Sequence, residues 1–227
     1  MEKKLNLHDL FGFLFPGAVL CATAYVFLVR IGKIAAGHLD WSATLAMLPI
    51  AYVVGLWIHQ FSSRFMHEQD VALTLMHDSD ITFTLEFKRG VKTAFEDLFK
   101  LPASGDRNAQ QMMFNGCYDY VIQQGKGIYV EHHYATYSLC RSMVFVSMVA
   151  GTLACWLVVR EPTPLSGTDY FSMLVIVAGT TIAVLTFWRA KDRFIKIFAA
   201  AVYRAFYSAY CDCKMPCKKA AAEHDGE

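Results

Sequence analysis

Three stretches of the chain carry residue types that do chemistry. Met66-His67-Glu68-Gln69-Asp70 and Met76-His77-Asp78-Ser79-Asp80 form an echo ten residues apart. On a helix, His67, Asp70 and His77 fall within about 40° of one face at roughly 100° per residue, with Asp78 close by. Imidazoles and carboxylates so placed are ligands for a divalent cation. They serve equally well as a solvated face or as salt-bridge partners of a second helix, and that plainer role is the one expected. Cys211, Cys213 and Cys217, with His224 downstream, are zinc-type donors. Tetrahedral zinc takes four ligands, usually as two spaced pairs on a folded knuckle. Here one ligand would come from an alanine-rich tail and no Cys-x-x-Cys pair is present. Reduced thiols without a metal, and no cofactor, are therefore expected.

The third stretch is Glu131-His132-His133-Tyr134, with groups suited to acid-base work. A base acts only on a substrate held in a pocket. The chain has no nucleophile motif, phosphate loop or Gly-rich dinucleotide turn. The expectation is no enzymatic activity, and instead a hydrogen-bonded collar beside an apolar segment, with Arg141 snorkelling to lipid headgroups.

The elements that must position these groups are apolar. Of 227 residues, 55% are hydrophobic and only 18% charged, more apolar than a soluble domain of this size requires. Four long apolar runs, 10–29, 42–61, 142–159 and 170–188, contain no Lys, Arg, Asp or Glu. Each approaches the roughly 20 residues a helix needs to cross about 30 Å of hydrocarbon. The first run follows Lys3 and Lys4 like a signal peptide, but its length, Pro16 and aromatics fit a retained span.

Of the 21 Lys and Arg residues, 18 lie in 1–9, 62–141 and 189–227, and the two short loops between hold Arg30, Lys33 and Arg160. The positive-inside rule then places both termini and the middle segment on the cytoplasmic face of an inner membrane. Trp41, Trp156, Tyr170 and Trp188 lie near span ends, where amphipathic rings prefer the headgroup region. A formal net charge of +1 argues against a nucleic-acid surface.

The middle segment, as one helix, would run about 120 Å at roughly 1.5 Å per residue, so it must fold back. Pro102-Ala103-Ser104-Gly105 supplies the break. Upstream, Phe83, Phe87, Val91, Phe95 and Leu98 make an apolar stripe, and downstream Met113, Cys117 and Val121 make a matching face. Weaker interruptions are expected at Asp78-Ser79-Asp80, Gly90 and Gly125-Lys126-Gly127. The alternation Ile81, Phe83, Leu85, Phe87 also suits a strand, but a lone strand has no partner. After the fourth run, Phe194, Phe198, Val202, Phe206 and Tyr210 recur among cations, the pattern of an amphipathic helix that lies in the membrane interface or packs on the hairpin or a neighbouring subunit, and packing is the placement expected. Residues 220–227 read as a disordered tail.

The fold expected is all-α and polytopic: four transmembrane helices, with a cytoplasmic helical hairpin extending spans two and three. Its parts are a first helix pair (1–61), the hairpin (62–141), a second helix pair (142–188) and a cytoplasmic amphipathic helix with its tail (189–227). Small residues at Gly17 and Cys21, Ala51 and Gly55, Ser147 and Gly151, and Gly179 and Ala183 are helix-packing candidates. Phe83, Phe87, Val91 and Phe95 are the candidate face for a cytosolic partner. His59 is the one ionisable side chain of note inside a span, which does not suggest a coupled carrier.

Leu7-His8-Asp9-Leu10-Phe11-Gly12-Phe13-Leu14-Phe15-Pro16-Gly17, Ala51-Tyr52-Val53-Val54-Gly55 and Tyr134-Ala135-Thr136-Tyr137-Ser138-Leu139-Cys140-Arg141-Ser142 carry a resemblance. The chain resembles a family of small, poorly characterised bacterial four-span inner-membrane proteins, and proteins of this layout occur among components of anti-phage systems. The resemblance implies a non-enzymatic, homo-oligomeric membrane component acting as anchor, sensor or permeabilising effector, and carries over no functional residue. A small channel or transporter made by oligomerised spans is the other reading.

Overall fold

The computed structural model describes residues 10–32, 41–65, 75–76, 80–103, 107–160 and 167–224, apart from the side chains of 41–44, 160, 167–170, 172 and 215–224. Among the described residues the chain is helical, with no strand. A π-helical turn, Leu10–Leu14, leads into α1 (Phe15–Arg30). There follow α2 (Trp41–Phe65), α3 (Leu85–Phe99), α4 (Arg107–Gln123), α5 (Gly127–Arg160) and α6 (Gly167–His224). Four segments are long and apolar enough to cross a membrane: Leu10–Arg30, Leu45–Phe65, Gly127–Val159 and Met173–Lys214. Their outer faces show large apolar side chains such as Trp57, Phe171, Leu174 and Ile182. Exposed apolar surface of that extent is suited to lipid rather than to water.

The chain divides into two compact units, Met1–Met66 with Ala135–Arg193, and His67–Tyr134 with Phe194–Glu227. In the first unit, α1 and α2 meet backbone to backbone. A Cβ added to Gly17 would lie 1.8 Å from the Ala51 carbonyl oxygen, and one added to Gly55 would lie 1.8 Å from that of Phe13. Only glycine fits either position, and the close approach gives the dense packing that holds helices together in lipid. Phe13 closes this seam edge-on against Tyr52 and His59, at ring centroid distances of 6.0 and 4.9 Å. Gly151 of α5 receives the Thr180 side chain of α6, which would be 2.3 Å from an added Cβ. Gly179, by contrast, faces open space.

The second unit has an ordinary packed core. Val91, Ala94 and Phe95 of α3, Met113, Cys117 and Val121 of α4, Val130 of α5, and Ala199, Val202, Tyr203 and Phe206 of α6 are essentially inaccessible. Helix α3 starts where Thr84 adopts an extended backbone and its Oγ1 accepts from Phe87 N–H at 3.3 Å. It ends at Lys100, in the left-handed region at φ 56°. Gly90 does not interrupt it: the missing Cβ admits the Tyr207 ring, 2.9 Å from where that atom would be. Between α4 and α5, Gly125 at φ +70° completes a Schellman motif, with Lys126 N–H bonding Val121 O and Gly125 N–H bonding Ile122 O.

The stripe Phe83-Phe87-Val91-Phe95 is met by α4 and also by α6, which supplies Tyr203, Phe206 and Tyr207 to the same core. Helix α6 continues through His224, where a tail was expected from Ala220. Three consecutive alanines there are strong helix formers, and the helix runs through Pro216 to reach them.

At the rim of this core, Asp97 accepts from the Tyr210 hydroxyl and the Lys214 ammonium, each at 2.6 Å, and from Lys100 at 3.4 Å. Lys126 pairs with Asp212. The Lys214 ammonium, then the Tyr210 hydroxyl and Lys100, hold the Asp97 carboxyl well below the ordinary carboxylate range. A depressed folded value means that this contact stabilises above the usual aspartate pKa and is lost as pH falls through the depressed one. Amide exchange around Tyr210 should therefore accelerate on acidification below the ordinary aspartate range, and Asp97→Asn should flatten that dependence; an unchanged pH profile in the variant would refute the clamp. Gly55→Leu should lower stability by about 1–3 kcal/mol or more through overpacking, whereas Gly179→Leu should leave the thermal unfolding of the monomer as it is. Equal effects would remove the special status of the α1–α2 seam.

Candidate functional site: a buried polar cluster between α2 and α5

Polar side chains converge inside the first unit. Near the end of α2, Gly55 brings the helix against Phe13 and the following turn presents His59 towards α5. On α5, Tyr137, Ser138 and Arg141 lie three and four residues apart and so share a face. The Ser138 hydroxyl is 2.9 Å from His59 Nδ1. Arg141 Nη2 lies 3.1 Å from Nδ1 and 3.0 Å from Nε2 of the same ring. Its Nη1 is 3.5 Å from the Tyr137 hydroxyl, and the guanidinium carbon sits 5.4 Å from the Tyr137 ring centre. Ser138, Ser142 and Ser62 are fully buried and Arg141 is 6% exposed.

A buried guanidinium is costly unless its donors are met. A guanidinium only donates, so the imidazole takes its hydrogen bond through an unprotonated ring nitrogen. The Tyr137 ring adds its π-face to the cation. Ser138 and His59 stand at the distance of a nucleophile and its base, but the hydroxyl is enclosed between two helices. The chemistry this arrangement supports is the holding of a positive charge among polar groups in an apolar unit. Alongside runs a groove of about 500 Å³ whose walls, among them Leu20, Val53, Trp57, Ile58, Phe61, Phe145 and Val149, are apolar throughout. Phe61 and Phe145 stack across it with ring planes 7° apart.

Arg141 corrects one expectation. It is buried against His59 and Tyr137 rather than snorkelling to headgroups, because Ser138 and His59 offer polar partners closer than the lipid surface. His59 was visible in the sequence as an ionisable side chain in a span. Arg141 was singled out for another role, and its pairing with His59 was not read, although Tyr137, Ser138, Arg141 and Ser142 form a polar patch at helical spacing.

The other sequence candidates separate. Gly17, Gly55 and Gly151 lie at close approaches within the chain, and Gly179 does not. Phe83, Val91 and Phe95 are buried and Phe87 is half-buried against Phe83 and Tyr207. These rings line the core of their own unit, so as a face for a partner they are already covered. Cys213 meets the Tyr120 hydroxyl at 3.5 Å, and that bond, with some burial, pushes the Tyr120 phenol up to about 12. Cys211 lies beside Tyr207 instead. Of the collar, Tyr134 packs on Phe198 at 5.2 Å and His133 stacks edge-on to Tyr129 at 4.5 Å. His67, Asp70, His77 and Asp78, and the side chains of Cys217 and His224, lie outside the described residues. Among the described residues, no three His, Cys, Asp or Glu side chains converge as a metal site.

Removing one partner of the buried pair should cost more than removing both. His59→Leu is expected to lower stability by roughly 1–3 kcal/mol by stranding guanidinium donors, and His59→Leu with Arg141→Met should recover most of it. Thermal unfolding in detergent checks this, and an unaffected single variant would mean that the imidazole does not support Arg141. Compared with protein-family models, curated proteins and solved structures, the chain finds no match.

Proposed function

We propose that this chain is a non-enzymatic multi-pass component of a bacterial inner membrane, with both termini and the second helical unit on the cytoplasmic side. In this reading α3 and α4 are the cytoplasmic hairpin between spans two and three. The unit acts as an anchor for a cytosolic protein or as a sensor of a cytosolic event, and the spans self-associate. The resemblance noted in the sequence supports, by analogy, a role in a defence system, where the spans would act as a membrane-permeabilising effector.

One observation carries this reading. Helices α5 and α6 each contain a candidate span and each continue unbroken into residues of the second unit's core, Val130 on α5 and Val202, Tyr203 and Phe206 on α6. A partner that changes the packing of that core therefore acts on the same helices that cross the bilayer. Self-association is supported by Gly179, a small residue at helical spacing that no neighbour among the described residues covers.

A second reading, a small channel or transporter of oligomerised spans, is favoured by the Arg141 and His59 pair. Ionisable groups buried among spans commonly mark ion paths. Inducible expression in bacteria, following membrane potential and co-purifying proteins with and without phage challenge, separates the two. An intact potential with a stoichiometric cytosolic partner, or depolarisation only on challenge, is the outcome expected. Constitutive depolarisation abolished by Arg141→Met would contradict it in favour of the channel. Gly179→Leu should reduce the size of the particle in detergent, and an unchanged size would remove that face from the proposed interface.

A further inference from the structure

A recess in the second unit has the make-up of an anion site. Helix α6 places Lys196, Ala200 and Arg204 in one row and Ile197, Ala201 and Ala205 in the next, four residues apart in each. The alanines are too small to fill the space between the two long cations. Thr82 and Tyr129 close the other side, leaving a concavity of about 450 Å³. Lys196 and Arg204 stand about 12 Å apart along the helix axis at roughly 1.5 Å per residue, a separation that their side chains can close.

The charges are available. Among the described residues, neither Lys196 nor Arg204 has a carboxylate within ion-pair distance. Arg204 rests its guanidinium 5.5 Å from the Phe83 ring centre, which steadies the group without neutralising it. Asp80 is an acid beside the recess. Its carboxylate accepts from the Thr82 hydroxyl and from the Thr82 backbone N–H, the latter at 2.7 Å, and the Lys196 charge reaches it only weakly. The rim stays net positive.

The mouth is also partly apolar. Tyr129 is 65% exposed, and the chain neighbours of Thr82 and Tyr129, Ile81 and Ile128, are 99% and 82% exposed. Two cations, the Tyr129 hydroxyl and ring, and exposed aliphatic groups together match a phosphate that carries an organic body.

We propose that the recess bounded by Thr82, Tyr129, Lys196 and Arg204 binds the phosphate group of a phosphate ester. Its source is either a soluble molecule or a lipid headgroup. Lys191, Arg193 and Lys196 follow Trp188 on α6, so the recess lies past the apolar part of that helix, in the stretch where anionic headgroups are met.

The test uses the full chain in phosphatidylcholine nanodiscs, with inorganic pyrophosphate as the soluble probe and added phosphatidic acid as the lipid probe. The readout is the shift of the unfolding midpoint, which follows ligand binding to the folded state. Three variants are compared with the wild type: Lys196→Gln with Arg204→Gln, Ala205→Leu, and Arg89→Gln with Lys92→Gln as a control of equal charge change. A midpoint rise in the pyrophosphate arm assigns the phosphate group to a soluble source, and one in the phosphatidic acid arm assigns it to a headgroup. In either case the Lys196 and Arg204 pair of changes should weaken binding about tenfold or more, a difference of about 1.4 kcal/mol. Ala205→Leu should weaken it too, at unchanged charge, and the control should bind like the wild type. No rise in either arm, or equal weakening by the control, would overturn the proposal. Should Ala205→Leu fail to fold, the exposed glutamine pair and its control still decide.

Discussion

Hydrocarbon offers no hydrogen bonds, so every backbone amide that enters it must be satisfied within its own helix. That constraint explains why the apolar part of this chain is helical, and it shapes how the helices associate. Lipid tails are as apolar as leucine side chains, so burial drives the helices together less than tight van der Waals packing does. The α1–α2 seam answers this directly. Gly17 and Gly55 remove the two Cβ atoms that would keep the helices apart, and Phe13 caps the contact against Tyr52 and His59. The position of His59, and so the polar cluster it makes with Ser138 and Arg141, depends on that approach.

The second unit is packed differently. Its core is contiguous and aromatic, with α3, α4, the start of α5 and the later part of α6 each contributing fully buried side chains. Glycine again sets the packing, but here it admits rings: Gly90 takes Tyr207 and Gly116 takes Phe95. Polar ties at the rim, Asp97 to Tyr210 and Lys214 and Lys126 to Asp212, fasten α6 at positions where the apolar stripe alone would leave its ends free to fray. The recess beside Lys196 and Arg204 arises because the same helix that packs with large rings on one face carries alanines on the next.

The spans were legible because hydropathy depends on composition, and the break near Pro102 because proline and glycine act locally. The stripe on α3 was legible as amphipathic, and the aromatic repeat of α6, about a hundred residues away, as a helix to pack on it or on a neighbouring subunit, but not which side chains would meet. Gly90 looked like an interruption. Whether a glycine breaks a helix or makes room for a ring depends on its neighbour in space, here Tyr207. Arg141 was misread for a related reason: at a span boundary an arginine normally reaches for headgroups, and only the positions of His59 and Tyr137 show that it turns inward. The recess was invisible in the sequence because it is formed by what Ala200, Ala201 and Ala205 leave unfilled.

The central claim is that the four apolar segments cross the bilayer with the second unit on the inner side. Labelling of single introduced cysteines with a membrane-impermeant thiol reagent, in intact spheroplasts and after lysis, tests it most directly. Ile81→Cys and Ile128→Cys, at exposed positions of the second unit, should label only after lysis, while Ala36→Cys and Thr163→Cys, in the short loops between spans, should label in intact spheroplasts. Labelling of Ile81→Cys from outside, or of none of the four until lysis, would contradict the topology on which the rest of the account stands.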